Sequence, residues 1–128
     1  MFMQLKTKIS DENLIPGISD KILYHNMERI AKLREFLQAN PLDNFLQHAL
    51  ALEYIKLGDD GEARKIFEEL LERDPAYVGS YYHLGKLFER NNEMAGAIKC
   101  YEKGMEEAKK AGENHAFGEL KGAYDELV

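Results

Sequence analysis

Phe45 to Ala111 is one 34-residue pattern written twice, and this internal repeat constrains the chain more than any other feature. Shifted by 34, Leu50 falls on Leu84, Ala51 on Gly85, Tyr54 on Phe88, Ala63 on Ala97 and Phe67 on Tyr101, and every pair keeps its chemical class. Within the first copy the large apolar residues recur at helical spacing: Leu50, Tyr54 and Leu57, then Ile66, Phe67, Leu70 and Leu71. Small residues recur where two helices have to approach closely. The unit is therefore helix, turn, helix, and such units bury their apolar faces by stacking on one another.

The flanks extend the pattern. Leu33 to Pro41 sits over Phe67 to Pro75, so half a repeat precedes the first full one, and the spacing predicts a helix over 26–39 with Ile30, Leu33, Phe36 and Leu37 on one face. The next helix is expected from Asp43 or Asn44 to Leu57, stopped by Gly58 in a left-handed cap. Asp59 with Glu62 three residues on is a capping box for a helix that ends before Asp74-Pro75. Copy two has Asn91-Asn92 in place of Leu57-Gly58, and its second helix is expected to reach Ala111. A last helix over 114–127 carries Phe117, Leu120, Tyr124 and Leu127 as its stripe. With a two-residue insertion the first three of these fall over Tyr81, Leu84 and Phe88, as in the first helix of a third repeat, left unpaired as a cap. The plan is an N-terminal extension, 1–25, and a repeat domain, 26–128, with a half repeat 26–41, repeats 44–77 and 78–111, and a capping helix 113–127.

The pattern resembles the tetratricopeptide repeat, whose signature places a large residue, Leu-Gly, an aromatic, a small Ala, an aromatic and a final Pro at fixed offsets. Residues 78–111 match at Tyr81, Leu84, Gly85, Phe88, Ala97 and Tyr101, with Gly104 at the next small position; residues 44–77 match at Leu50, Ala51, Tyr54, Ala63, Phe67 and Pro75. Gln47 stands in place of the first large residue of copy one, and Lys109 in place of the Pro of copy two, where the helix is expected to run on. The resemblance implies an all-α fold, a right-handed α-α superhelix. It also implies a non-catalytic scaffold that binds a protein or peptide in the concave groove lined by the first helix of each pair.

Composition narrows the functions. A chain of 128 residues with 45% apolar and 31% charged residues is one ordinary helical domain. Its formal charge of −6 argues against nucleic acid, which needs a clustered positive surface. No apolar run approaches the length of a membrane span, and a cytoplasmic protein is expected. The single Cys100 cannot form an internal disulfide and reads as a packed residue. His25, His48, His83 and His115 have no metal-binding spacing, and the glycines form no phosphate loop. We expect no catalytic residue, no metal and no cofactor.

One helix is apolar nearly all the way round. Leu50, Ala51, Tyr54 and Leu57 serve the core of copy one, while Phe45, His48, Leu52 and Ile55 form a second stripe that must also be covered. The matching stripe of copy two is Gly79, Tyr82, Lys86 and Glu89. Phe45, His48, Leu52, Ile55, Tyr82, Lys86 and Glu89 are the candidate partner-binding residues, with an apolar half and a mixed polar half. Two alternatives stand beside an adaptor: a homo-oligomer, such as a homodimer, whose groove is filled by its own N-terminal segment or a second subunit, and an accessory subunit of an enzyme. Residues 1–22 are apolar without a repeat of their own, which suits them to lie against the concave face.

Overall fold

The computed structural model describes residues 19–128, and these form six α-helices. They are α1 (Asp20–Ala39), α2 (Asn44–Leu57), α3 (Asp60–Arg73), α4 (Gly79–Arg90), α5 (Met94–Ala111) and α6 (Asn114–Leu127). The described residues divide into two compact units, one ending at Ile66 and the other spanning Phe67–Val128, with α3 beginning in the first and ending in the second. Of residues 1–22, expected against the concave face, 1–18 lie outside the described residues. Residues 20–25, expected in the extension, instead form the first turns of α1. The Ser19 hydroxyl accepts the Ile22 N–H at 3.2 Å and so caps the helix six residues before the expected start.

In the first unit α1 and α2 pack against each other across the short turn 40–43. Asp43 caps α2 by accepting the Leu46 N–H at 3.0 Å, and Met27, Ile30, Leu50, Ala51, Leu57, Ala63 and Ile66 are buried. Arg34 fastens three helices: its Nε lies 3.0 Å from the Tyr54 hydroxyl, its guanidinium sits 5.3 Å from the Tyr54 ring centroid, and its Nη2 lies 3.7 Å from Glu62 Oε1. The start of α3 is held as the capping box predicts, with Asp59 Oδ1 accepting the Glu62 N–H at 3.1 Å.

In the second unit α5 packs against both α4 and α6. The core holds Phe67, Leu70, Tyr81, Leu84, Leu87, Tyr101 and Leu120 among others, with Tyr101 and Phe67 fully buried. Two glycines let the helices close. A Cβ on Gly85 would lie 2.2 Å from the Tyr101 ring, and one on Gly104 would lie 2.7 Å from Tyr81 Cβ and 3.0 Å from Leu120 Cδ1. Three helices end the same way, with a left-handed residue at Gly58 (φ 86°), Asn92 (φ 59°) and Gly112 (φ 71°). In each, the following N–H reaches back at 2.9 Å: Asp59 to the Tyr54 carbonyl, Glu93 to Phe88, Glu113 to Ala108. With Lys109 at the Pro position, α5 runs on to Ala111, where this cap stops it.

Gln47, the departure from the signature, does the work of the residue it replaces. Tyr81 donates its hydroxyl to the Pro75 carbonyl at 2.6 Å, and Gln47 Nε2 donates to the Pro41 carbonyl at 2.7 Å. Both donors and both prolines are 34 residues apart. Burial, with nearby carboxylates second, pushes the Tyr81 hydroxyl up to about 12, so it stays a donor at any physiological pH. We expect Gln47→Leu to lower stability by about 0.5–1.5 kcal/mol, the net worth of one such bond, and Gln47→Tyr to recover most of it. Equal urea midpoints for Gln47→Leu and the parent would show that the bond contributes nothing.

Candidate interaction surface

α2 advances 100° per residue, so Phe45, His48, Leu52 and Ile55 share one side of it, opposite Leu50, Glu53 and Leu57. The second side is the one that packs on α1, since Glu53 meets Arg29 of α1 there. Phe45 is 71% exposed, and His48, Leu52 and Ile55 are half-buried. The first unit therefore presents an uncharged stripe anchored by an exposed aromatic ring.

In the second unit Tyr82, Lys86 and Glu89 are half-buried and joined. The Lys86 ammonium lies 5.5 Å from the Tyr82 ring centroid and 3.5 Å from Glu89 Oε2, and Tyr101 donates its hydroxyl to the same oxygen. Burial first, and the Glu89 hydrogen bond second, raise the Tyr101 hydroxyl far above its ordinary range, so it remains a donor. The charges of this stripe thus satisfy one another. Shifted by 34, Lys86, Glu89 and Tyr101 fall on Leu52, Ile55 and Phe67: copy two has a closed polar network where copy one is apolar.

Two groups escaped the sequence reading. Tyr101 reads in the sequence as a signature aromatic, and its hydroxyl also completes the Lys86–Glu89 network. Glu53, 2% exposed, stands 34 residues before the buried Leu87. One of its oxygens meets Arg29 at 3.2 Å and Lys56 at 3.1 Å, while Oε1 is buried without a hydrogen-bond partner. The Arg29 pairing crosses between helices, so no local spacing announces it.

Two further titratable groups of the second unit, Cys100 and His83, are held by packing. Cys100 Sγ lies 3.3 Å from the Tyr81 carbonyl, and burial pushes the thiol up to about 12, which keeps it protonated and unreactive near neutrality. His83 stacks on Phe67, with ring centroids 6.1 Å apart, and its imidazole is held below its ordinary value by burial, against a smaller opposing pull from Glu119. The folded chain then binds this proton less readily than the unfolded one, so stability falls as pH drops through about 6.5 toward the folded value. Between pH 7.5 and 5 the melting temperature of His83→Gln should fall less than the parent's, and parallel falls would clear His83 of the acid sensitivity. Among the described residues no group of three or more His, Cys, Asp and Glu could hold a metal, and no helix is long and apolar enough to cross a membrane.

Comparison with known proteins agrees with this architecture. Tetratricopeptide-repeat family models match residues 44–87 and 78–110. The crystal structure of a tetratricopeptide repeat domain protein from Salinibacter ruber is 44% identical, with a TM-score of 0.65 over 66% of this chain and 94% of that one. A TPR repeat-containing protein of Pseudomonas aeruginosa is 30% identical over 87 residues, covering 67% of this chain and 83% of that protein. The mouse aspartyl/asparaginyl beta-hydroxylase is 28% identical over 86 residues, which are 67% of this chain but 12% of the enzyme's length. Repeat length, helix pairing, caps and close-packed small residues all agree with these matches, and the chain belongs to the tetratricopeptide repeat family.

Proposed function

We propose that the chain is a non-catalytic, cytoplasmic adaptor that binds a peptide or helix of a partner protein. The observation that carries this is the two-sided α2. Its core side packs on α1, and the other side presents Phe45, Leu52 and Ile55, of which Phe45 is 71% exposed. Burying each such side chain is worth about 1.5–3 kcal/mol, enough for a few residues to dominate an interface. Tyr82, Lys86 and Glu89, in the second unit, are proposed as further contact residues, with the charges of Lys86 and Glu89 already paired.

Peptides selected from a random display library on the full chain test it. We expect them to bind at least about tenfold more weakly to Phe45→Asp/Leu52→Lys, a loss of 1.4 kcal/mol or more, with helical content kept. Undiminished binding to the double variant would place the site elsewhere. If the parent instead grows in size with concentration and the double variant does not, the stripe serves self-association.

A further inference from the structure

We propose that the open flank of α1 seats an amphipathic helix of a partner protein, with acidic residues beside its apolar face. This surface lies on α1 and goes beyond the stripe of α2. Repeat register gives the shape of the occupant, and charge gives its chemistry.

Leu33–Pro41 recurs as Phe67–Pro75 and, after a further 34 residues, as 101–109, so α1 holds the place before α2 that α5 holds before α6. α5 is packed on two flanks, by α6 and by α4, the first helix of its own pair. Ala97, Tyr101 and Gly104 are buried there, with the Tyr101 ring against Gly85 and Gly104 between Tyr81 and Leu120. Their counterparts 68 residues earlier are Arg29, Leu33 and Phe36. On α1 only the flank toward α2 is closed to the same degree: the Arg29 side chain is 53% exposed, Leu33 is half-buried and Phe36 is 48% exposed. The exposed Ile22 continues the line, since residues seven apart share one side of a helix. The ridge from Ile22 to Phe36 is about 21 Å long, the length of a helix such as α2, and apolar anchors spaced in this way are what a docked helix engages.

The charges on this flank do not balance. Arg29 and Lys56 of α2 meet the same oxygen of Glu53, at 3.2 and 3.1 Å, and both stay half exposed. Lys32 lies 5.5 Å from the Phe36 ring centroid and has no carboxylate partner among the described residues. Three cations thus answer to one carboxylate, in a chain whose formal charge is −6. Glu28 and Glu35 each stand one residue before a ridge position, about 100° away round the helix. A partner helix lying here meets apolar contacts at Ile22, Leu33 and Phe36 with positive charge beside them, which attracts flanking carboxylates and repels a basic helix.

The test uses a library of peptides of about 16 residues, each held helical by one side-chain staple, with Ala, Leu or Phe on one face and Glu, Gln or Lys beside it, selected on the full chain. We expect Glu to exceed Lys at the flanking positions by at least about threefold. Selected peptides should bind at least about tenfold more weakly to Phe36→Ala, the loss typical of an interface anchor. Lys32→Glu should invert the charge preference and leave the circular dichroism unchanged, because Lys32 is exposed and stands outside the pairing of Glu53. Selection of no helix, no preference for Glu, or equal binding to Phe36→Ala each overturns the proposal. Growth in size with concentration that Phe36→Ala abolishes overturns it in favour of a second copy on the ridge. Only α1 is altered, so this test can fail while peptide binding at Phe45 and Leu52 stands, and the reverse.

Discussion

Tyr101→Ala is expected to lower stability by about 3–5 kcal/mol, among the largest effects of any single substitution in this chain. Tyr101 is fully buried on α5, and its ring fills the space left open by Gly85 on α4. Truncation opens a cavity between α4 and α5, where the ring lies against Gly85. It also takes from Glu89 the hydroxyl that shares its oxygen with Lys86. Urea unfolding followed by circular dichroism measures the loss. A change below about 1 kcal/mol would mean that the ring is peripheral to the core, contrary to its burial.

Gly85→Ala is expected to cost about 3 kcal/mol, at the upper end of overpacking effects. The added methyl would lie 2.2 Å from Tyr101 Cε1 and 2.6 Å from Cζ, inside any real contact. The ring cannot swing aside cheaply, because its hydroxyl is fixed on Glu89. The two predictions are linked, and the link is the sharper test. In a Tyr101→Ala background the same methyl enters the cavity, so Gly85→Ala should there be neutral or stabilising. Equal costs in both backgrounds would show that the glycine answers some demand other than the ring.

The helix boundaries were largely legible because they rest on single residues with strict conformational demands. Gly58, Asn92 and Gly112 each take positive φ, and Asp43 and Asp59 each accept an amide at the start of a helix. The start of α1 was not legible, because Ser19 follows Pro16-Gly17 and the apolar Ile22 and Leu23 resemble the segment before them as much as the helix after them. The stripe of α2 could be read from its period. What the stripe of copy two does with its charges could be read only in part: Lys86 and Glu89 are three apart on one helix, whereas the Tyr101 hydroxyl arrives from another. Glu53 was hidden for the same reason, since a carboxylate at a buried position carries no apolar signal and Arg29 lies on a separate helix.

The exchange of Tyr81 for Gln47 bears on how arrays of this kind are counted and engineered. What is common to the two positions is a proline carbonyl six residues back that receives a side-chain donor, at 2.6 Å from a phenol and 2.7 Å from an amide. The position is therefore defined by donor reach rather than by bulk. For a designer the position is a place where an aromatic surface can be traded for a polar one while the anchoring bond is kept.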